Sequence, residues 1–522
     1  MRPKRVIRMN NLAGLAGLVP VVVFLVVALG IAVYSRQRAA RSAQGGFVGE
    51  YFLGNRSLGA FVLAMTTIAT YGSVSSFVGG PGQAWQTGFG WVYMAGVQVT
   101  TLFLLYGIMG KKMALVSRKL GAVTVIDVIR ERYHSNALAN AAAIIIVVFF
   151  ATTMIAQFVG GAKLFEAVTG YSYVIGLVIF AVAVVAFTTL GGFRGVAITD
   201  ALCGIAMLVG IVVLAWGIMT AGGGYEQVMQ TIAANHPEML EPLDAGGMPI
   251  GLYFTQWLLV GVFTFCLPQS VVRTMGFKDV KAMRRAMVLG TVIIGFMMIG
   301  VTALGTLSAG VLTDDLAAYG GSVDNIIPRV IVQTLPPWLA GIAIIGPIAA
   351  SISTVSSLLI AASSAIVKDI WLNYRNPKAH VQESVPSNGT PGQADRVYED
   401  RIVRRVSQAM TLFIGIVVFA LSITPPDLIW KINMFAFGGL ETAFCWTLVC
   451  GLFWKRATKA GALLSMIGGT ASYCVAMALG FRLFGLHQIT IGITVALVLM
   501  IVGSLATKNP DDETLAVFFP ER

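Results

Sequence analysis

Along the chain, long apolar runs alternate with short polar connections. A helix that crosses a bilayer needs about 20 predominantly apolar residues. Runs of that kind lie near residues 13–34, 60–82, 88–110, 136–160, 171–190, 196–221, 251–274, 284–311, 337–367, 405–423, 430–454, 460–480 and 486–506. Backbone polar groups have no water to bond in lipid, so such runs must be helical. The pattern predicts an all-α membrane protein of about 13 transmembrane helices, referred to below as spans 1 to 13 in chain order. Span 1 is too long for the core of a signal peptide and is expected to be retained.

Two spans break the apolar pattern. Span 2 contains "AMTTIATYGSVSSFVGGPG" at 64–82, where nearly every second residue is Gly, Ser or Thr and the end is Gly-Gly-Pro-Gly. Span 7 contains "LLVGVFTFCLPQSVVRTM", with Gly261 and Thr264 ahead of Pro268. Both read as interrupted helices. They open successive five-helix blocks, 2 to 6 and 7 to 11. An odd number of helices per block makes the second copy insert upside down, the arrangement of an inverted-repeat secondary transporter. Unwinding frees carbonyls at mid-membrane, which is tolerable where an ion or polar solute satisfies them. For Gly79 and Gly80 a second explanation stands beside this one: small residues let helices pack closely.

Span 9 carries a polar stripe. In "AASISTVSSLLIAASSAIVKD", residues 349–369, Ala350, Ser353 and Thr354 stand at i, i+3 and i+4 on one face. Hydroxyl oxygens with nearby carbonyls are hard, neutral ligands suited to a small monovalent cation. Ser and Thr in membrane helices also bond back to their own helix.

Composition agrees with the pattern: 57% of residues are hydrophobic and 11% charged, with a mean hydropathy of +0.80. The net charge of +12 resolves into sidedness. Of the 36 Lys and Arg, 28 fall in the connections after spans 1, 3, 5, 7, 9 and 11 and in the C-terminal tail, and eight on the other side. The positive-inside rule places the first set in the cytoplasm, so the expected plasma (inner) membrane topology has the N-terminus outside and the C-terminus cytoplasmic. Arg2, Lys4, Arg5 and Arg8 dissent from it. Residues 1–507 then form one transport domain with an inverted-repeat core at about 60–455. Residues 376–400 read as a flexible cytoplasmic loop and 508–522 as a cytoplasmic tail. Residues 113–132 have the mixed apolar and basic character of an interfacial helix. Lys163 and Glu166, at i and i+3, are placed for a local pair.

Other chemistry is thin. Cys203, Cys266, Cys445, Cys450 and Cys474 fall in apolar spans without a CxxC pair, and read as small packing residues. His134, His236, His380 and His487 are scattered over connections. No P-loop, cofactor motif or nucleophile with a base appears, which argues against a primary pump or an intramembrane enzyme.

Several blocks then resemble the sodium:solute symporter family over essentially the whole length: "YFLGNRSLG" at 51–59, the span 2 segment through "GFGWV", "GGAKLFEAVTG" at 160–170, "GGFRGVAITD" at 191–200, the span 9 stripe and "AFGGLETAFCWTLVCGLFWKRATKAGAL" at 436–463. Within the family, "ATYGSVSSFVGGPG", "GGAKLFE", "LPPWLAGI" and "AFGGLE" look most like the pantothenate-transporting branch. The resemblance implies a broken-helix, inverted-repeat fold and sodium-coupled import by alternating access, with Na+ as the coupling ion, pantothenate as solute and no cofactor. It places sodium between spans 2 and 9, on the carbonyls of Ala69, Gly72 and Ala350 and the hydroxyls of Ser353 and Thr354. Asp200 matches an aspartate near the ion's exit and is a candidate for a second ion, although Cys203 replaces a Gln usual in relatives. Proline carriers have an acid where this chain has Tyr71, which counts against proline. The solute pocket is expected mid-membrane, walled by Tyr71, Ser73, Ser75, Ser76 and Phe77 opposite Thr264, Phe265 and Pro268, with Glu441 on span 11 protonated, paired or facing the solute's amide and hydroxyl end. Partners are a small solute and membrane lipid, with no nucleic acid and no obligate protein. The alternatives are another small carboxylate or amino acid such as proline, a transporter-fold membrane sensor, and a channel. The absence of a pore motif argues against the last.

Overall fold

The computed structural model describes residues 11–41, 59–243, 247–375, 393–425 and 427–520. Ten helices there are long and apolar enough to cross a bilayer. They are Phe89–Leu120, Asn136–Thr169, Tyr173–Gly191, Gly195–Ala221, Ile250–Met275, Val280–Ser308, Pro337–Leu372, Ile402–Ser422, Ile429–Phe453 and Lys459–Ala478, which are spans 3 to 12. The bent pair Ala60–Tyr71 and Ser75–Thr87 corresponds to span 2, which brings the number to eleven among the described residues; the apolar helices Gly17–Ile31 and Ile489–Leu505, at the places of the expected spans 1 and 13, are shorter. The expected order of elements is therefore present.

Span 2 turns by 66° between its halves. The first half stops because Gly72 goes extended (φ −66°, ψ 123°) while its N–H still bonds the Ile68 carbonyl. The second half restarts as a π-turn at Ser75–Gly79 and continues as Gly80–Thr87. A helix that stops inside a bilayer leaves backbone groups to be satisfied. The Val74 N–H is met by Gln157 Oε1 of span 4 at 2.9 Å. Gln157 is in turn tied to span 9, where Ser351 Oγ donates to its carbonyl at 2.7 Å. The Gly-Gly-Pro-Gly stretch is helical and lies beyond the break. Pro81 sits in the first turn of Gly80–Thr87, where its missing N–H costs nothing. The small residues there serve packing, with Gly79 against Trp430 and Gly82 against the Val323 carbonyl.

Span 7 loosens in stages. After Ile250–Trp257 come a π-turn, Leu258–Val262, and a 3₁₀-turn, Phe263–Cys266. Leu267 is extended (φ −60°, ψ 124°), and Pro268 is the first residue of Pro268–Met275. Span 3 covers this gap: Thr100 and Thr101 hydroxyls reach the Gly261 carbonyl at 3.2 and 3.4 Å. The two breaks are joined directly, because Tyr71 Oη donates to the Val260 carbonyl at 2.6 Å. Span 9 is the most enclosed of the long spans and packs against spans 1, 4 and 6, whereas span 10 is the most exposed.

Three details differ from the sequence reading. The basic 113–132 segment is two helices: Lys111–Leu120 ends at left-handed Gly121, and Val125–Tyr133 starts from a Thr124–Asp127 capping box. Helix Gln393–Ser422 begins inside the stretch expected as a loop; the rest of that stretch, 376–392, lies outside the described residues, as do 1–10 and 42–58. The tail holds a helix, Asp512–Phe518, capped by Asp511.

Span 8 packs on both halves of span 2, and at Gly305 an added Cβ would collide with the Pro81 backbone. Backbone cannot swing aside as a side chain can, and overpacking of this kind costs about 1–3 kcal/mol. Gly305→Ala is expected to lower the thermal unfolding midpoint of the purified protein. Gly96→Ala, whose Cβ would meet nothing nearer than 3.8 Å, is expected to leave it unchanged.

Candidate functional site

The break in span 2 lies against the polar stripe of span 9. Ser353 Oγ is 2.7 Å from the Ala69 carbonyl oxygen and 3.1 Å from that of Ala350. Thr354 Oγ1 is 3.1 Å from the Gly72 carbonyl oxygen and 2.9 Å from that of Ala350. The contacts to Ala350 are the back-bonding common in membrane helices. Those to Ala69 and Gly72 cross between helices and bring five oxygens from two spans together. Each hydroxyl here donates to carbonyls; turned about its C–O bond, it presents lone pairs to the same point instead. All five are carbonyl or hydroxyl oxygens, so this cluster is neutral.

One turn away lies a charged network. Asp200 Oδ2 is 3.3 Å from Arg273 Nη2 and accepts a 2.7 Å bond from Thr66 Oγ1. Arg273 also donates to Ser357 Oγ at 2.8 Å and to the Gln269 carbonyl at 2.7 Å. Ser357 Oγ is 3.3 Å from Thr70 Oγ1. Thr66 and Thr70 flank Ala69 on span 2, and Ser357 follows Ser353 by one turn on span 9, so the network adjoins the oxygen cluster. Asp200 and Arg273 are both buried, and Asp200 Oδ1 has no hydrogen-bond partner. Sequence reasoning singled out Asp200 and missed Arg273; an Arg inside an apolar span was the signal that could have found it.

On the other side of the breaks is a cavity of about 730 Å3, counting its open mouth. Of the residues expected around a solute, Tyr71, Ser75 and Ser76 line it. Ser73, Phe77, Thr264, Phe265 and Glu441 are buried but are not among its walls, and Pro268 lines a different cavity. Thr264 Oγ1 instead pairs with Thr101 Oγ1 at 2.9 Å. Neither carboxyl oxygen of Glu441 has a partner. The walls sequence reasoning missed are Gln98, Gln256, Trp430, Asn433 and His487. Gln256 Oε1, Trp430 Nε1 and Asn433 Oδ1 are buried without hydrogen-bond partners, an arrangement expected where a polar ligand completes them. No Lys, Arg, Asp or Glu lines this cavity.

Lys163 pairs over a long range with Asp324 (3.2 Å) and not with Glu166. The same Asp324 oxygen accepts from the Ile429 N–H at 3.1 Å, capping span 11 from another element. That bond fixes the neighbouring Trp430, whose ring meets Trp91 edge-on at 5.5 Å over the cavity.

His487 lies just before span 13 and is nearly buried. Burial, with the nearby Arg482 charge adding to it, pushes its pKa down to about 4, against about 6.5 for a free side chain. Its Nδ1 accepts from the Ile489 N–H, so the neutral ring is the native form. Between pH 6.5 and 4 the unfolded chain binds the extra proton, so the contribution of His487 is complete above pH 6.5 and is lost as pH falls through 4. The unfolding midpoint is expected to drop less between pH 7 and pH 4.5 in His487→Gln than in the unaltered protein. An equal drop would contradict this.

A model of the sodium:solute symporter family matches residues 51–390 and 392–469. The sodium/pantothenate symporter of Escherichia coli (strain K12) is 37% identical over 488 residues, covering 93% of this chain and 96% of that protein. The protein of the same description from Haemophilus influenzae (strain Rd) is 36% identical over 498 residues, covering 95% and 98%. Among solved structures, a Na+-coupled sialic acid symporter in a substrate-bound outward-open state superimposes with a TM-score of 0.77 at 18% identity, covering 95% of this chain and 98% of the other. The fold is that of the sodium-coupled symporters.

Proposed function

The chain belongs to the sodium:solute symporter family, and from that premise we propose that it imports pantothenate, driven by sodium, by alternating access. The relatives described as sodium/pantothenate symporters, matched over nearly their whole length, support the choice of solute. The observation that carries the coupling is the placement of two consecutive residues. Tyr71 lines the cavity, while the Gly72 carbonyl belongs to the five-oxygen cluster.

In this reading sodium sits among the carbonyl oxygens of Ala69, Gly72 and Ala350 and the hydroxyls of Ser353 and Thr354. The solute occupies the cavity beside it. Pantothenate is an anion with an amide and two hydroxyls, and a cavity lined by Gln256, Asn433, Ser75 and Ser76 suits its polar groups. Its carboxylate meets no fixed cation there, so the charge of the ion held by the adjoining residue favours its entry. Sodium also fixes Gly72 and hence the position of Tyr71. Asp200, with one oxygen free, is the candidate for a second ion. Two sodium ions with one anion would move net charge, and a membrane potential would then add about 2.3 kcal/mol per 100 mV to the driving force. The end of the bundle bearing Lys111, Lys112, Arg118, Lys119, Lys278 and Lys281 faces the cytoplasm, with the N-terminus outside, as the positive-inside rule requires.

Proteoliposomes are expected to accumulate labelled pantothenate only under an inward sodium gradient. Excess unlabelled pantothenate should abolish the signal and excess proline should not; inhibition by proline would favour an amino-acid carrier. In Thr354→Ala, loss of one hydroxyl ligand is worth about 1–3 kcal/mol, so the sodium concentration for half-maximal uptake should rise roughly tenfold to a hundredfold. Unchanged sodium dependence would move the ion elsewhere.

A further inference from the structure

A second cavity, of about 560 Å3 counting its open mouth, lies on the opposite side of the span 7 break. Leu259 and Val260 line the first cavity; Pro268, Gln269, Val272 and Arg273 line the second, and no residue lines both. We propose that this second cavity is a release subsite for the same solute, in which Arg273 takes the carboxylate while the apolar walls take the branched hydrocarbon. The inference rests on the pantothenate reading above and assigns a further place on the solute's route.

Three observations carry it. The walls are mostly apolar, with Ile126, Phe150, Ile360 and Ala361 among them, and Arg273 is the one Lys or Arg in the lining; its guanidinium is bonded to Thr66, the Gln269 carbonyl, Asp200 and Ser357. An anion with a hydrocarbon body fits such a surface better than a cation or a sugar does. Gln269 Oε1 and Ser364 Oγ also line the cavity, belong to side chains 4% and 5% exposed, and have no hydrogen-bond partner. They are the acceptor and hydroxyl that the solute's amide and hydroxyl groups require. Finally, the far end of the cavity does not repel an anion. Asp369 stands there, twelve residues beyond Ser357 and so roughly 18 Å along span 9, but its charge is balanced. Its carboxylate accepts from Thr124 Oγ1 at 2.8 Å and lies 3.6 Å from Lys368 Nζ. Lys368 also pairs with Asp127, and Arg130 bonds the Asp369 carbonyl. Two cations thus face two carboxylates.

Arg273 is held by Asp200 when no solute is present. A solute carboxylate and Asp200 therefore compete for one guanidinium, which makes the hold at the subsite transient, as a release step requires.

The test uses the full-length protein with a single added cysteine, either Ala361→Cys in the second cavity or Leu259→Cys in the first, labelled with N-ethylmaleimide. The signal of the unaltered chain, with its five free cysteines, is subtracted. Pantothenate at ten times its dissociation constant should slow labelling of Ala361→Cys by roughly tenfold, whereas its uncharged alcohol analogue should slow it less than about twofold, the ratio expected if the carboxylate provides most of the hold. Adding Arg273→Gln should abolish the acid's advantage at Ala361→Cys while Leu259→Cys remains protected, which shows that the fold persists. If Arg273→Gln binds nothing, the comparison of acid with alcohol on the native Arg273 decides alone. Protection of Leu259→Cys without Ala361→Cys, or equal protection of Ala361→Cys by acid and alcohol, overturns the subsite. Protection of neither cysteine withdraws the pantothenate reading and the subsite with it.

Discussion

A helix broken inside a bilayer leaves backbone groups that water cannot reach, and the site depends on how this chain meets that constraint. At Gly72 the backbone of span 2 goes extended, and three of the groups at the break are met by side chains of spans 4 and 9. Gln157 of span 4 takes the Val74 N–H. Ser353 and Thr354 of span 9 take the Ala69 and Gly72 carbonyls. Tyr71, the last helical residue, reaches the matching loosened segment of span 7 at Val260. Carbonyls held by hydroxyls can be handed to a cation when those hydroxyls rotate, at less cost than separating a buried ion pair. The same contacts that make the break tolerable thus make it a candidate ion site.

Two cavities follow from the second break. Where span 7 passes from π-turn through 3₁₀-turn to the extended Leu267, the part before the break faces one cavity and the part after it the other. Each cavity has orphaned polar atoms. They differ in charge: the first has no Lys, Arg, Asp or Glu among its walls, while the second is lined by Arg273 and Asp369. The Asp324 bond ties the start of span 11 to another element, and Lys368, Asp127 and Asp369 group at the end of span 9.

Much of this was legible in the sequence, because lipid enforces a simple rule. Apolar length marks a span, so the ten long helices and the bent span 2 could be read from the chain, while the expected spans 1 and 13 appear as shorter apolar helices. The break in span 2 was visible as a density of Gly, Ser and Thr, but the Gly-Gly-Pro-Gly signal pointed past it, since proline in the first turn of a helix does not interrupt it. The grouping of Ala69 and Gly72 with Ala350, Ser353 and Thr354 came from a stripe at helical spacing together with family resemblance. Lys163 paired with Asp324 and not with its near neighbour, and Arg273, Gln157 and Asn433 were not anticipated. Arg273 and Gln157 act through partners far along the chain, and Asn433 lines a cavity built from several spans; spacing along one helix carries no information about such contacts. The solute walls were least legible: Ser73 and Phe77 share the break with Tyr71 and Ser75, yet only the backbone turn decides which of them face the cavity.

The central claim is that ion and solute share the Tyr71–Gly72 junction, and equilibrium binding tests it most directly. Labelled pantothenate affinity is measured without sodium and at saturating sodium, and sodium affinity without and with saturating pantothenate. Linkage requires that the two factors be equal, and the junction predicts that both exceed about fivefold, the lower end of usual coupling energies. Equal affinities in all four conditions, with both ligands still binding, would mean that the five-oxygen cluster and the cavity do not communicate, and would contradict the account.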